Sequence, residues 1–134
     1  MKSDEGNAVV EFIGVVVGML IPVIFVATGC WNIAQAHLAL RDAAVTSARG
    51  FVLSKTRAEA QYRMNAIVND VVASHGIAAN RVRRTVTCST NNCMALGNLV
   101  SVKLSYAVNF SVPVFGNFSV PISDSHMEQV DEFK

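Results

Sequence analysis

Charged side chains are scarce in this chain of 134 residues, at 16% of the total where about a quarter is usual. Apolar residues make up 51%, which excludes an intrinsically disordered chain, because disorder needs low hydrophobicity and high net charge. Eleven Lys and Arg nearly cancel ten Asp and Glu, so the net charge is only +1. Such a chain has no strong electrostatic field to attract nucleic acid or an acidic partner.

Sequence motifs of catalysis are also missing. There is no H-E-x-x-H, no glycine-rich phosphate loop, no nucleophile elbow and no pair of carboxylates in a pattern typical of a catalytic cleft. His37 lies in a helical segment, where a structural or solvated role is expected. We therefore expect neither enzymatic activity nor a cofactor.

Cysteine is limited to three residues. Cys88 and Cys93 flank four residues, and a disulfide between them is the natural interpretation if this region lies outside the membrane. A zinc site is the alternative, but zinc usually takes four ligands, and His75 and His126 stand isolated from the pair. We expect no metal, and we expect Cys30, at the membrane end of the apolar helix, to be a small buried hydrophobic residue.

The few charges are unevenly placed, since none of Asp, Glu, Lys or Arg occurs from Phe12 to Leu40. The most apolar part ends at Trp31 and has the roughly 20 residues that a helix needs to cross a bilayer. A buried core helix and a cleaved secretory signal are the alternatives, although the acidic start of the chain is unlike the basic region of a signal. Gly14 and Gly18 form a G-x-x-x-G pair, which lets helices pack closely in lipid.

The sharpest signal precedes this helix, where Gly6 stands five residues before Glu11. The string Gly-x-x-x-x-Glu-Phe before a long apolar run resembles the processing site of type IV prepilins and pseudopilins. The resemblance implies a leader peptide of residues 1–6 and cleavage by a membrane peptidase between Gly6 and Asn7. The apolar helix then stays attached to the mature protein.

The resemblance extends past the membrane segment. The stretch of small residues from Ala39 to Gly50 is similar to that of TadE-like minor pseudopilins of the tight-adherence (Tad) pilus and secretion machinery. The proline that this family often has early in the helix is Val17 here, and the chain has Pro22 instead. The resemblance therefore leaves open whether the chain is TadE-like or TadF-like.

A second resemblance involves Cys30. The segment Ala27-Thr28-Gly29-Cys30 is similar to the lipobox of bacterial lipoproteins, in which a signal peptidase cuts before the cysteine and the thiol takes a lipid. The acidic start of the chain and Glu11 are not typical of such a signal. A lipoprotein, or a generic single-pass membrane protein, is the alternative to the pseudopilin.

Two helices are expected before the chain changes its periodicity. The first continues out of the membrane and is expected to end at Gly50. The second starts at Thr56, whose capping-box pattern includes Glu59, and ends at His75-Gly76. Its apolar face is expected to contain Ala60, Met64, Ile67 and Val71.

The last third of the chain predicts an antiparallel sheet. Leu99 to Val112 alternates strictly between apolar and polar residues, as a long strand with one buried face does. A shorter strand is expected from Arg81 to Cys88, and a third through Phe118 to Ile122, where Pro121 favours a sheet edge. We expect the second helix, from Ala60 to Val72, to cover the sheet.

These elements predict an α+β fold with a long N-terminal transmembrane helix, a second amphipathic helix and a small antiparallel sheet. The helix and its extension occupy residues 7–50, and an extracytoplasmic head occupies residues 51–134. A small basic patch on the head is interpreted as solvated, or as a contact to a neighbouring subunit or anionic lipid headgroups. It consists of Arg81, Arg83 and Arg84.

The resemblance implies a minor pilin-like subunit that acts by assembly. Its expected partners are other pilin and pseudopilin subunits, a prepilin peptidase, the Tad membrane assembly proteins and the lipid bilayer, with no nucleic acid. The expected location is the cytoplasmic (inner) membrane, crossed once with the N-terminus inside and the head outside, and also the pilus. The amino group that processing creates at Asn7 is expected to pair with Glu11 of the same or a neighbouring subunit.

Overall fold

The computed structural model describes residues 4–132 of the chain, with side chains from Gly6 to Glu132. Within that range the chain forms two helices, a short 3-10 turn and three strands. Their bounds are Asp4–Val52 for α1, Arg57–Ser74 for α2, Ala79–Arg81 for the 3-10 turn, Arg83–Cys88 for β1, Leu99–Val112 for β2 and Gly116–Gln129 for β3. The α+β fold class is confirmed.

Helix α1 joins the apolar N-terminal segment to the head without a break. It has 49 residues and is about 73 Å long at 1.5 Å per residue. It ends at Val52, two residues beyond the expected end at Gly50. A Cβ at Gly50 would clash with the Ile67 side chain of α2, so this glycine lets the two helices approach closely.

Helix α2 begins at the predicted capping box. The Thr56 hydroxyl accepts a hydrogen bond from the Glu59 backbone N–H at 3.2 Å, and the Glu59 carboxylate accepts one from the backbone N–H of Lys55 at 3.1 Å. The helix ends at His75 as expected, where the following Gly76 has a positive φ of 76°.

The buried face of α2 differs from the prediction in its second half. Ile67 and Val71 are only half-buried, because the row in contact with α1 continues in steps of four residues. That row consists of Ala60, Met64, Val68 and Val72.

The sheet is antiparallel, with the strand order β1-β2-β3. Strand β2 has the predicted bounds, and its apolar face is turned inward as the alternation indicated. Strand β3 contains Pro121 and lies at the edge, as expected, but continues past Ile122 to Gln129. Strand β1 begins at Arg83, since residues 79–81 form the 3-10 turn.

Helix α1 covers the sheet, so the prediction that α2 would cover it is wrong. The chain has three layers, because α1 packs against β2 and β3 on one side and against α2 on another. This is possible because small buried residues are spread around about half of the helix. They are Ala36, Ala39, Ala43, Ala44, Ser47 and Ala48. The core of the head therefore includes residues 36–52 of α1.

Candidate functional site

The N-terminal half of α1 stands outside the head. Residues 6–28 are exposed except for the half-buried Pro22. Among the described residues, α1 is the one helix that is long and apolar enough to cross a membrane, and none of its most apolar 18-residue window is buried. The fold does not use this segment as a core helix. Its length and exposure fit a membrane anchor or a signal segment.

The two glycines of the G-x-x-x-G pair lie on this uncovered surface. A Cβ at Gly14 or Gly18 would meet no atom of the chain within 4 Å. Their spacing of four residues places them on one face of the helix. That face has room for the close approach of a second helix.

The predicted processing residues lie on the first turns of α1. Gly6, Asn7 and Glu11 are exposed, and a Cβ at Gly6 would contact nothing within 4 Å. Asn7 and Glu11 are four residues apart, so they share a face one turn from each other. Residues 1–3 of the predicted leader and the C-terminal Lys134 lie outside the described residues.

The predicted cysteine pair forms a disulfide in the structure. It joins Cys88, the last residue of β1, to Cys93 in the following loop, with 5.3 Å between their Cα atoms. The bond lies at the end of the sheet opposite the β2–β3 turn, since Cys88 pairs with Val100 near the start of β2. It closes the loop that leads into the central strand.

Asn98 organises that loop, and the sequence reasoning missed it. Its side chain is buried, and its Oδ1 accepts hydrogen bonds from the Thr90 backbone N–H at 3.1 Å and from the Ser89 hydroxyl. Its Nδ2 donates to the carbonyl of Asn92 at 2.9 Å. The signal available in the sequence was the Gly97-Asn98 pair, because Gly97 has a positive φ of 76° at a turn.

The three arginines of the basic patch have separate surroundings. Arg84 is half-buried and donates to the side chain of Asn65 on α2 at 2.7 Å and to the carbonyl of Ala79 at 3.2 Å. Arg81 lies over the Tyr106 ring at 5.3 Å from its centroid. Arg83 is exposed. Arg84 is therefore a link between α2 and β1, which the expectation of a solvated patch did not include.

Each histidine lies beside a carboxylate, which the sequence reasoning did not predict. His75 is 3.8 Å from Asp42, and His126 is 2.9 Å from Glu128. The Nε2 of His37 lies 3.6 Å from the carboxylate of Asp124 in β3, so His37 contacts the sheet, in agreement with the structural role expected for it. Arg49 adds a second α1–β3 pair, at 3.8 Å from Glu128. Three of these four pairs connect α1 to β3 or to the C-cap of α2.

Cys30 is exposed, so the head does not bury it, and its expected burial at the membrane end of the helix stays a prediction. Its neighbour Gly29 is buried instead, because the ring of Phe110 in β2 lies against it. Cys30 therefore lies on the side of α1 that the head leaves uncovered.

A scan against models of protein families finds no match for this chain, and searches of curated proteins and of solved structures find none either. The architecture is nevertheless clear from the structure itself. A long apolar N-terminal helix leads into a head built on a small antiparallel sheet, which is a pilin-like layout.

Proposed function

We propose that the chain is a minor pilin-like subunit, a TadE-like pseudopilin, which assembles with other pilins in a Tad-type pilus or secretion system. The observation that carries this proposal is an apolar helix left uncovered by its own fold, with Gly6 and Glu11 at its start. The protein acts by assembly and is itself the substrate of a prepilin peptidase, without catalysis of its own.

The uncovered part of α1 supplies the assembly surface. In the membrane its apolar side chains contact lipid, and in a filament they contact the helices of neighbouring subunits. Gly14 and Gly18 support close packing of this kind, because nothing in the chain fills the space beside them. Repeated head-to-tail contacts of such helices build an open filament rather than a closed ring.

The proposed topology places the N-terminus in the cytoplasm and the head outside it. Residues 1–6 then face the peptidase, and residues from the end of the membrane helix onward face the oxidising side. The Cys88–Cys93 disulfide supports this arrangement, because such bonds persist in oxidising compartments and are rare in the cytosol.

The lipoprotein alternative is less well supported by the packing of α1. Signal peptidase cleavage before Cys30 would remove Gly29, which lies against Phe110 of the head. It would also remove Pro22 and Val26, which form one wall of a groove whose other wall is the β2–β3 hairpin. A cleaved signal does not usually pack against the mature fold, whereas a retained helix does.

Mass spectrometry of the full-length chain from a membrane fraction that contains the peptidase tests the proposal. We expect a mature N-terminus at Asn7. The Gly6→Ala variant is expected to remain uncut, and Gly14→Ala, a glycine change farther along the same helix, is expected to be processed normally. A lipidated N-terminus at Cys30 would establish the lipoprotein instead, and an unprocessed chain would favour a plain membrane anchor.

A further inference from the structure

The turn between β2 and β3 is unusually apolar. Val112 and Gly116 form the last strand pair, and the Phe115 N–H donates to the carbonyl of Val112 at 3.1 Å. We call residues 112–118 the hairpin tip. Val114 is fully exposed at 102%, and Phe115 is 68% exposed. Pro113 and Gly116 are ordinary turn residues, but a soluble protein usually has Gly, Asn, Asp or Ser at the two positions between them.

The backbone conformation at this turn makes its apolar residues still more unusual. Val114 has a φ of 73°, a left-handed conformation that Gly or Asn adopts easily and a β-branched residue adopts at a cost. Local turn chemistry therefore does not explain a valine at this position. An apolar environment around the hairpin tip would.

The β2–β3 hairpin has a segment without charged residues, and this segment lies beside the charge-free segment of α1. No Asp, Glu, Lys, Arg or His occurs from Leu104 to Ser123, and the next residue along β3, Asp124, lies 3.6 Å from His37 of α1. The C-terminal end of the charge-free part of α1 therefore lies beside the end of the uncharged part of β3. From there both segments extend in the same direction, because Phe110 contacts Gly29 and the tip reaches Pro22.

An apolar groove connects the two segments. It has a volume of about 470 Å³ and is lined by α1 residues and by hairpin residues. The lining includes Pro22, Val23, Val26, Phe110, Phe115 and Phe118. Phe110 and Phe118 stack with their ring centroids 5.5 Å apart. The groove is open and continuous with the uncovered surface of α1, so whatever surrounds α1 also reaches the hairpin tip.

The hairpin restricts how deep α1 can lie in a bilayer. If the membrane span ran from Phe12 to Trp31, Pro22 would lie about 14 Å inside it, near the middle of the hydrocarbon core. The hairpin tip would then carry its polar outer face and the unpaired edge of β3 into hydrocarbon, which is strongly unfavourable. The polar residues of that face are Asn109, Ser111, Asn117 and Ser119.

A span shifted toward the N-terminus removes this conflict. Residues 7–26 also form a helix of about 30 Å, which matches the hydrocarbon core. Pro22 to Val26 then form its last turn, so the hairpin tip lies at the membrane boundary. Trp31 lies about 7 Å farther out, at the level of the lipid headgroups where tryptophan is enriched.

We propose that the hairpin tip is a second lipid contact, which inserts Val114 and Phe115 among the acyl chains of the outer leaflet and sets the depth of α1. An acyl chain of an outer-leaflet lipid occupies the groove beside Pro22. The proposal rests on the membrane anchoring in the proposed function, and it does not depend on processing after Gly6.

Tryptophan fluorescence of the full-length chain in vesicles of phosphatidylethanolamine and phosphatidylglycerol tests this contact. Trp31 is the only tryptophan, so a Trp31→Phe background allows one probe at a time. Phe115→Trp reports on the hairpin tip. Leu96→Trp is the matched control, since Leu96 is an equally exposed apolar residue at the other end of the sheet. Phe25→Trp reports on the insertion of α1.

We expect lipids brominated near the headgroup end of the acyl chain to remove about half of the Phe115→Trp emission, as for an aromatic residue at the membrane interface. They should leave the Leu96→Trp emission unchanged. The same shallow bromines should quench Phe25→Trp more strongly than bromines near the chain end. A spin label at Val114→Cys in a Cys30→Ser background gives an independent reading of depth if the tryptophan variant misfolds.

Three outcomes would overturn the proposal. In the first, aqueous iodide quenches Phe115→Trp and bromine does not, while bromine quenches Phe25→Trp. The tip then lies in water, although α1 is still anchored in the membrane. If Phe25→Trp is not quenched by bromine either, α1 does not insert, and the proposed function fails as well. If the tip is shielded from iodide only when other pilin subunits are present, its partner is protein and not lipid.

Discussion

Asn98 shows how a single buried polar residue can hold a loop in place. Its amide satisfies two donors and one carbonyl of the disulfide loop. Asn98→Ala leaves the Thr90 N–H and the Asn92 carbonyl without this partner, so we expect the free energy of unfolding to fall by about 3 kcal/mol. Urea unfolding of the full chain in detergent micelles measures this change.

The loop contains its own control for that measurement. Asn91 is exposed, and Asn91→Ala is expected to change the free energy of unfolding by less than about 0.5 kcal/mol. Equal effects at the two positions would show that the buried hydrogen bonds of Asn98 contribute little.

Glu11 carries a prediction about assembly. The proposed cleavage after Gly6 would create an amino group at Asn7, and a charge of either sign in the membrane is costly unless it is paired. Asn7 and Glu11 share a face of α1, so the pair can form within one subunit or with a neighbour. We expect Glu11→Ala to leave insertion, head folding and most processing intact but to reduce co-purification with other pilins.

The shifted membrane span makes this pairing more important. With residues 7–26 in the membrane, Glu11 lies about 6 Å inside the inner boundary, where an unpaired carboxylate is unfavourable. Gly6→Ala should instead stop processing itself. If Glu11→Ala subunits co-purify with the pilus machinery as well as the wild type does, the pairing hypothesis is wrong.

At the scale of elements, the disulfide stabilises the connection from β1 to β2. The bond between Cys88 and Cys93 closes a very short loop, so its removal should lower the free energy of unfolding by about 2 kcal/mol. Unfolding of the full chain with and without reductant measures the change. Cys30→Ser should not alter it, because that cysteine is outside the bond. Labelling of both thiols in folded protein without reductant would contradict the prediction.

Helix α1 is held on the sheet mainly by apolar contact. The His37–Asp124 contact and the Arg49–Glu128 ion pair are partly exposed, and exposed pairs of this kind contribute about 0–1 kcal/mol. The buried alanines and Leu40 contribute more, because they bring α1 close to both neighbouring layers and remove apolar surface from water. The charged pairs therefore specify the position of α1 more than they stabilise it.

At the scale of the whole molecule, the anchor and the head have separate requirements for folding. The buried core extends from Ala36 to Val130, so none of it lies in the first 28 residues. We expect a chain without residues 1–28 to keep a cooperative thermal transition and the disulfide, and to lose stable membrane anchoring. Thermal unfolding followed by circular dichroism, with vesicle co-sedimentation, measures both properties.

A longer deletion is the control for this prediction. Removal of residues 1–40 also removes Ala36, Ala39 and Leu40, which belong to the core, and should abolish the cooperative transition. If the shorter deletion already unfolds the head, contacts such as Gly29 with Phe110 are part of its minimum fold.

The sequence alone determined the features that depend on near neighbours. The charge-free run predicted the exposed apolar helix, the pattern from Thr56 to Glu59 predicted the start of α2, and the alternation from Leu99 to Val112 predicted the bounds of β2. These signals lie within a few residues of one another, because helix caps and strand faces repeat over two to four positions. The processing site inferred from the spacing of Gly6 and Glu11 is a local signal too, and it stays a prediction.

The tertiary structure decided which elements meet. It placed α1 and not α2 on the sheet, because a helix with small residues around about half of its surface can pack against two layers at once. It also placed the hairpin tip beside Pro22 and Asp124 beside His37. The contact at Pro22 joins residues about ninety positions apart, and periodicity within one segment carries no information about such a pair.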